Sequence, residues 1–126
     1  MHSLMVKKQF IASHFLIGGD WGSENQPHAH QYVLELILEG DVLDTHEYLV
    51  DIVQVEALLE KRIGMYRNRL LNDLPEFRDR NPSIELFSRI LCTALAERLA
   101  NPRLKKIKVV LWEHDSAWAG YEIIQK

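Results

Sequence analysis

The chain has 126 residues, enough for one domain with its own core and too few for a comfortable second. Hydrophobic residues make up 47% and charged residues 26%, the balance of an ordinary soluble globular protein. A net charge of -3 without a long basic run argues against a nucleic-acid partner, and no apolar run approaches a membrane span.

Cys92 is the only cysteine, so an internal disulfide is impossible and a cysteine-based zinc knuckle is excluded. That fits a reducing, cytoplasmic setting. The start, MHSLMVKKQF, lacks the apolar region and cleavage site of a signal peptide.

The stretch from Leu4 to Phe15 carries β-branched and aromatic residues and predicts a first strand. The cluster GGDWGSENQP must be a loop. From His30 to Glu39 the residues alternate. Tyr32, Leu34, Leu36 and Leu38 share one face, while Val33, Glu35, Ile37 and Glu39 share the other. This is a strand with one drier face. EGDVLDTHEYLV then turns the chain.

Asp51 is a good helix cap, and Gln54 could complete a box with it. Ile52, Val55, Leu59 and Ile63 recur at helical spacing, predicting a helix to about Met65. LNDLPEFRDRNP is a second loop. Asn81 followed by Pro82 predicts a helix start with proline at the first helical position. Ile84, Phe87, Leu91 and Leu95 give its buried stripe, and Asn101 and Pro102 stop it near Ala100. KKIKVVLWE and AGYEII are a third and a fourth strand, joined by HDSAW. Two amphipathic helices covering one face of a four-stranded antiparallel sheet make a single α+β domain over residues 1–126, in the order ββααββ. An open sheet has two edges to hide, and oligomerisation is one way to hide them.

Six histidines in so short a chain decide where to look for chemistry. His28 and His30 stand two apart, so in extended backbone their rings project to the same side. Pro27 favours extended backbone in Gln26, just ahead of the pair. Such a pair is either half of a metal grip or two polar residues at a strand end, and spacing alone does not separate the two. A catalytic zinc takes three protein ligands and leaves a fourth position open. His14, near the end of the first predicted strand, is the candidate third, because that strand pairs with the second across the Gly-rich loop. His2, His46 and His114 fit less well.

The segments FIASHF, ENQPHAHQYVLEL, YLVDIVQVEALL, LLND, NPSIELFSRIL and VVLWEHDSAWAGY follow one another in that order. Over nearly the whole chain they resemble the 6-pyruvoyl-tetrahydropterin synthase and 6-carboxy-tetrahydropterin synthase family. The ordered histidines and a late glutamate are the most specific parts. The resemblance implies the tunnelling T-fold, assembled as a homotrimer with a closed barrel or as a homohexamer. It implies Zn²⁺ held by His14, His28 and His30, with Ala29 standing where the family motif has glycine. It also implies a small-molecule pterin partner, anchored through its amino-pyrimidine edge by Glu113. Ser83 matches a family threonine near the pterin pocket, although by itself it reads as a helix-start residue.

Two departures bear on the chemistry. Glu24 stands where the family usually has a catalytic cysteine, four residues before the first histidine of the pair. Arg67 and Asn68 stand at the family's Asp-His pair, which removes a relay that the usual synthase reaction needs. The expectation is a zinc-dependent pterin lyase acting on 7,8-dihydroneopterin triphosphate or a close relative. Glu24 would move the proton in a retro-aldol cleavage. The alternatives are a divergent zinc- and pterin-binding member with other chemistry, and an oligomeric scaffold with a residual metal site. Arg67 and Arg69 read either as phosphate contacts or as solvated arginines.

Overall fold

The computed structural model describes residues 1–126, and its elements run strand, strand, helix, helix, strand, strand. They are β1 (His2–His14), β2 (His28–Gly40), α1 (Ile52–Ile63), α2 (Ile84–Leu99), β3 (Lys106–His114) and β4 (Ala117–Ile124). The strands form one antiparallel sheet in the order β1-β2-β3-β4. α2 lies over β3 and β4, and α1 packs against β1 and α2.

The alternation read in β2 is the backbone of the core. Tyr32, Leu34, Leu36 and Leu38 are fully buried, as are Ile107, Val109 and Leu111 of β3. Val55, Leu59 and Ile63 of α1 and Phe87, Leu91 and Leu95 of α2 come down on them. Two members of the expected stripes stand apart. Ile52 is exposed and Ile84 only half-buried, because each opens its helix, where the chain is still arriving at the sheet.

Several boundaries shift, each for a local reason. β2 begins at His28 and not at His30, so both histidines of the pair lie inside the ladder. The HDSAW connection contracts to Asp115 and Ser116, because β4 begins at Ala117 and closes a two-residue hairpin. Pro82 does not open α2. Ser83 is the cap, with its hydroxyl accepting from the Leu86 amide at 3.1 Å. A hydroxyl satisfies an orphan donor that proline cannot, which leaves Pro82 just outside the helix. The α1 cap also differs from the expected box. The Asp51 carboxylate accepts from the Val53 amide at 2.9 Å, and Gln54 is exposed. The loop before α2 contains two short 3-10 turns, Leu71–Asp73 and Pro75–Phe77.

Phe87 sits at the centre of an aromatic cluster under the site. Its ring meets Phe10, Tyr32, Tyr66 and Phe77 edge-on, at centroid distances of 6.0, 5.5, 5.0 and 5.4 Å. All five are buried. Truncating such a side chain removes buried surface and leaves a cavity that the neighbours only partly fill. Phe87→Ala is expected to lower stability by about 3–5 kcal/mol. Urea unfolding of the purified variant checks this, and a loss below about 1 kcal/mol would show that the cluster does not hold the domain together.

Candidate metal centre

The site is built by the register of β1 against β2. In that ladder His14 pairs with His28, and Ala12 pairs with His30. The ring centroids lie 4.6 Å apart for His14 and His28, 4.9 Å for His14 and His30, and 5.0 Å for His28 and His30. One ligand nitrogen from each of the three lies within 4.8 Å of the others. His14 is buried at 3% exposure, while His28 and His30 are half-buried.

Two of the rings have their tautomers fixed. Nδ1 of His14 donates to the Pro82 carbonyl at 3.0 Å, and Nδ1 of His28 donates to the Gln26 carbonyl at 2.9 Å. A carbonyl oxygen only accepts, so each Nδ1 carries the hydrogen and each Nε2 keeps a lone pair for a cation. This is the outer support that metal-bound imidazoles typically have. The hydroxyl of buried Tyr32 lies 3.4 Å from the same Nδ1 of His14. Three neutral imidazoles suit a divalent ion of intermediate softness such as zinc, with a position left for a substrate oxygen.

Glu113 comes to the same place from β3. Its Oε1 lies 3.4 Å from Nε2 of His14 and 3.4 Å from Nε2 of His30. The β3–β4 pairing steps from Trp112↔Trp118 to His114↔Ala117, so Glu113 is the extra residue of a bulge. Bulges re-aim side chains, and this one falls where a carboxylate must turn inward. Glu24 stands on a 3-10 turn, Gly22–Asn25, with its side chain exposed. Its backbone carbonyl accepts from the Leu16 amide at 2.9 Å, which ties the turn to the end of β1. Its charge acts on His14. The Ser83 hydroxyl is engaged as the cap of α2, one residue from the carbonyl that holds His14.

The family's Asp-His positions hold backbone in place here. Arg67 pairs with Glu60 at 2.7 Å. Asn68 adopts a left-handed φ of 60° and donates its amide to the Ile11 carbonyl at 2.7 Å. The Arg69 carbonyl accepts from Ser13 at 2.9 Å, while the Arg69 side chain is exposed. Residues 68–70 thus run along the free edge of β1 beside the site.

Three asparagines fasten the segment after His14. Asn72 accepts from the Phe15 amide and donates to the Phe15 carbonyl, both at 2.9 Å. Asn81 accepts from the Ile17 amide at 2.7 Å. Asn25 donates to the Leu16 and Gly19 carbonyls at 3.0 Å each. Asn25 bonds locally, but nothing in the sequence announces the partners of Asn72 and Asn81, which lie 57 and 64 residues away.

Burial holds the pKa values of His14 and His30 below the ordinary imidazole range. The unfolded chain takes up these protons at about pH 6.5, while the folded chain resists them. Stability from the two rings is therefore complete above that pH and is lost as pH falls through their lowered folded values. Metal-free protein should show a falling urea midpoint as the pH drops below about 6.5. His14→Gln should flatten that slope. A midpoint that rises on acidification over the same window would contradict the assignment.

Comparison with known proteins agrees with this architecture. A family model described as 6-pyruvoyl tetrahydropterin synthase matches residues 3–123. No curated protein matches the chain. Among solved structures, the chain is similar to 6-pyruvoyl tetrahydropterin synthase of Caenorhabditis elegans, with TM-score 0.82 and 21% identity over 95% of this chain and 94% of that one. It is similar to a catalytic-residue mutant of Plasmodium vivax 6-pyruvoyltetrahydropterin synthase, with TM-score 0.83 and 15% identity over 98% of both chains. A more distant likeness is dihydroneopterin aldolase of Burkholderia thailendensis bound to guanine, with TM-score 0.53 and 12% identity over 99% and 92%. At these identities the solved structures show the fold, which is the T-fold read from the sequence. The family match over almost the whole length goes further: this chain belongs to the 6-pyruvoyl tetrahydropterin synthase family.

Proposed function

We propose that the protein is a zinc-dependent lyase of pterin metabolism acting on 7,8-dihydroneopterin triphosphate or a close relative. The observation that carries this reading is the convergence of three imidazoles, two of them with Nδ1 tied to backbone carbonyls, beside a re-aimed carboxylate. Family membership supports the substrate class. The Burkholderia aldolase binds guanine, which has the same amino-pyrimidinone edge as a pterin, and this supports recognition of that edge in the fold.

In this mechanism His14, His28 and His30 hold the ion, which supplies Lewis acidity toward a hydroxyl or carbonyl of the substrate's side chain. Glu113 presents its carboxylate beside the imidazoles, where it accepts hydrogen bonds from the bound pterin. Glu24 takes the proton of the side-chain hydroxyl as that carbon becomes a carbonyl. The electron pair of the broken carbon–carbon bond passes to the pterin ring side, and Glu24 returns the proton there. Its exposed turn beside the end of β1 lets it approach substrate. The Plasmodium vivax catalytic residue is itself a glutamate, replaced by alanine in that mutant, which supports a carboxylate in the role. Ser83 serves the site by capping α2 and so fixing the Pro82 carbonyl under His14.

A second reading rests on one observation. Arg67 is paired with Glu60 and Asn68 shapes a left-handed turn, so the family's Asp-His positions offer no proton relay within the chain. That favours either cleavage through Glu24 alone or a member that binds zinc and pterin with different chemistry. The protein is expected to work in the cytoplasm, in keeping with its one buried, unpaired thiol.

Assembly as a homotrimer or homohexamer completes the proposal. The face of the sheet away from the helices exposes Met5, Ile11, Trp118 and Ile124, and both β1 and β4 are edges. Light scattering at micromolar concentration should give three or six chains per particle. A monomer would remove the assembly.

Activity is tested with metal-replete protein and 7,8-dihydroneopterin triphosphate, with products resolved by fluorescence and mass. Turnover is expected, and Glu24→Gln should lower kcat by about 10²–10⁴-fold at unchanged metal content. No turnover of this substrate or of its dephosphorylated form, in protein carrying one zinc per chain, would reject the lyase. Undiminished turnover in the variant would reject Glu24.

A further inference from the structure

The crossing from β1 to β2 has little to hold it. From Gly18 to Pro27 every residue but one is exposed, and Gly18 and Gly22 take left-handed φ values of 81° and 64°. Such a segment buries no apolar side chain that could fix its shape, and its glycines add freedom. The exception is Asn25, which is half-buried. Its Oδ1 accepts from the Trp21 amide at 2.7 Å, and its Nδ2 donates to the carbonyls of Leu16 and Gly19 at 3.0 Å each. Both hydrogens of the side-chain amide and its oxygen are thus in use. The neighbours of Asn25 are the two loop residues with tasks at the site. Before it, the Glu24 carbonyl accepts from the Leu16 amide at 2.9 Å. After it, the Gln26 carbonyl accepts from Nδ1 of His28 at 2.9 Å.

We propose that Asn25 is a positioning residue of the site, holding the loop in the one shape that serves Glu24 and His28 together. The inference rests on the zinc and Glu24 readings above and extends them to a residue that acts only through its neighbours. On one side, Asn25 keeps Glu24 beside the end of β1, so the loop need not be ordered afresh in each turnover. On the other, it fixes the Gln26 carbonyl, so that His28 meets the ion in one tautomer and one orientation. His14 is held independently through Pro82, so a fault at Asn25 reaches the metal through His28 alone. Asn25→Asp keeps the size of the side chain and the acceptor for the Trp21 amide. It loses both donors and sets a carboxylate against two carbonyls.

The test uses the full-length Asn25→Asp protein and three readouts. Amide hydrogen exchange of the metal-free chain should quicken over residues 16–26 and keep the wild-type rate in the strands and helices. Zn²⁺ affinity by chelator competition should fall by about tenfold, and in a His28→Ala background the same substitution should cost nothing further. With 7,8-dihydroneopterin triphosphate, kcat should fall by about tenfold or more, with KM within about twofold of wild type. Faster exchange throughout the chain would overturn the proposal, because Asn25 would then be supporting the fold at large. Wild-type metal affinity, or wild-type kcat in the zinc-saturated variant, would overturn it too. So would an equal loss of affinity with and without His28, which would mean that Asn25 does not act through that ring. If zinc-loaded wild-type protein turns over no pterin, the lyase reading fails by itself, and the exchange and affinity readouts still decide the role of Asn25.

Discussion

Everything at the candidate centre depends on the register of one antiparallel pair. Across thirteen matched positions from His2↔Gly40 to His14↔His28, β1 and β2 run without a bulge. A slip of one residue would move the buried row of Tyr32, Leu34, Leu36 and Leu38 to the outer face, and His30 with it. The aliphatic core and the three-imidazole cluster are therefore set by the same constraint. The hydrophobic effect selects the register, and the histidines at the open end of the ladder follow. No separate source of stability is needed to gather them, even though burying His14 works against its charged form.

What holds the rings in orientation is backbone, not side chain. The carbonyls of Gln26 and Pro82 each accept from an Nδ1, and each belongs to an X-Pro dipeptide or to the proline itself. Proline stiffens the chain at both places, so the acceptors are fixed before any ion arrives. Ser83 anchors the second of these by starting α2 immediately after it, and Asn72 and Asn81 clamp the other side of the same junction. The centre thus lies where the ends of two strands meet the start of a helix. Three parts of the chain distant in sequence have to agree there.

The sequence was most legible where one periodicity dominated. The alternation from Tyr32 to Leu38 and the helical stripes around Val55 to Ile63 and Phe87 to Leu95 placed the layers correctly. Family resemblance supplied the T-fold and the family, neither of which periodicity could reach. The convergence of His14 with His28 and His30 was readable because a hairpin register links strand ends at a predictable place. Less was legible at the junctions. Pro82 looked like the first residue of a helix, yet its value is its carbonyl, directed at a histidine sixty-eight positions earlier. Asn72 reads as a loop residue and Asn81 as a helix start, and neither reading reveals the amides of Phe15 and Ile17 that they hold. The bulge at Glu113 follows from the mismatch between two strands and cannot be seen in either alone. Arg67 and Asn68 were visible as departures, but only the structure shows Arg67 paired with Glu60 of α1 and the Asn68 amide bonded to the β1 edge.

The central claim is that His14, His28 and His30 together hold one zinc ion. Diffraction from crystals of zinc-loaded protein, recorded on either side of the zinc absorption edge, tests it most directly. The account predicts a single strong anomalous peak per chain, within about 2.0–2.1 Å of one nitrogen from each of the three rings. A peak elsewhere on the chain, or none in protein shown to contain zinc, would contradict it.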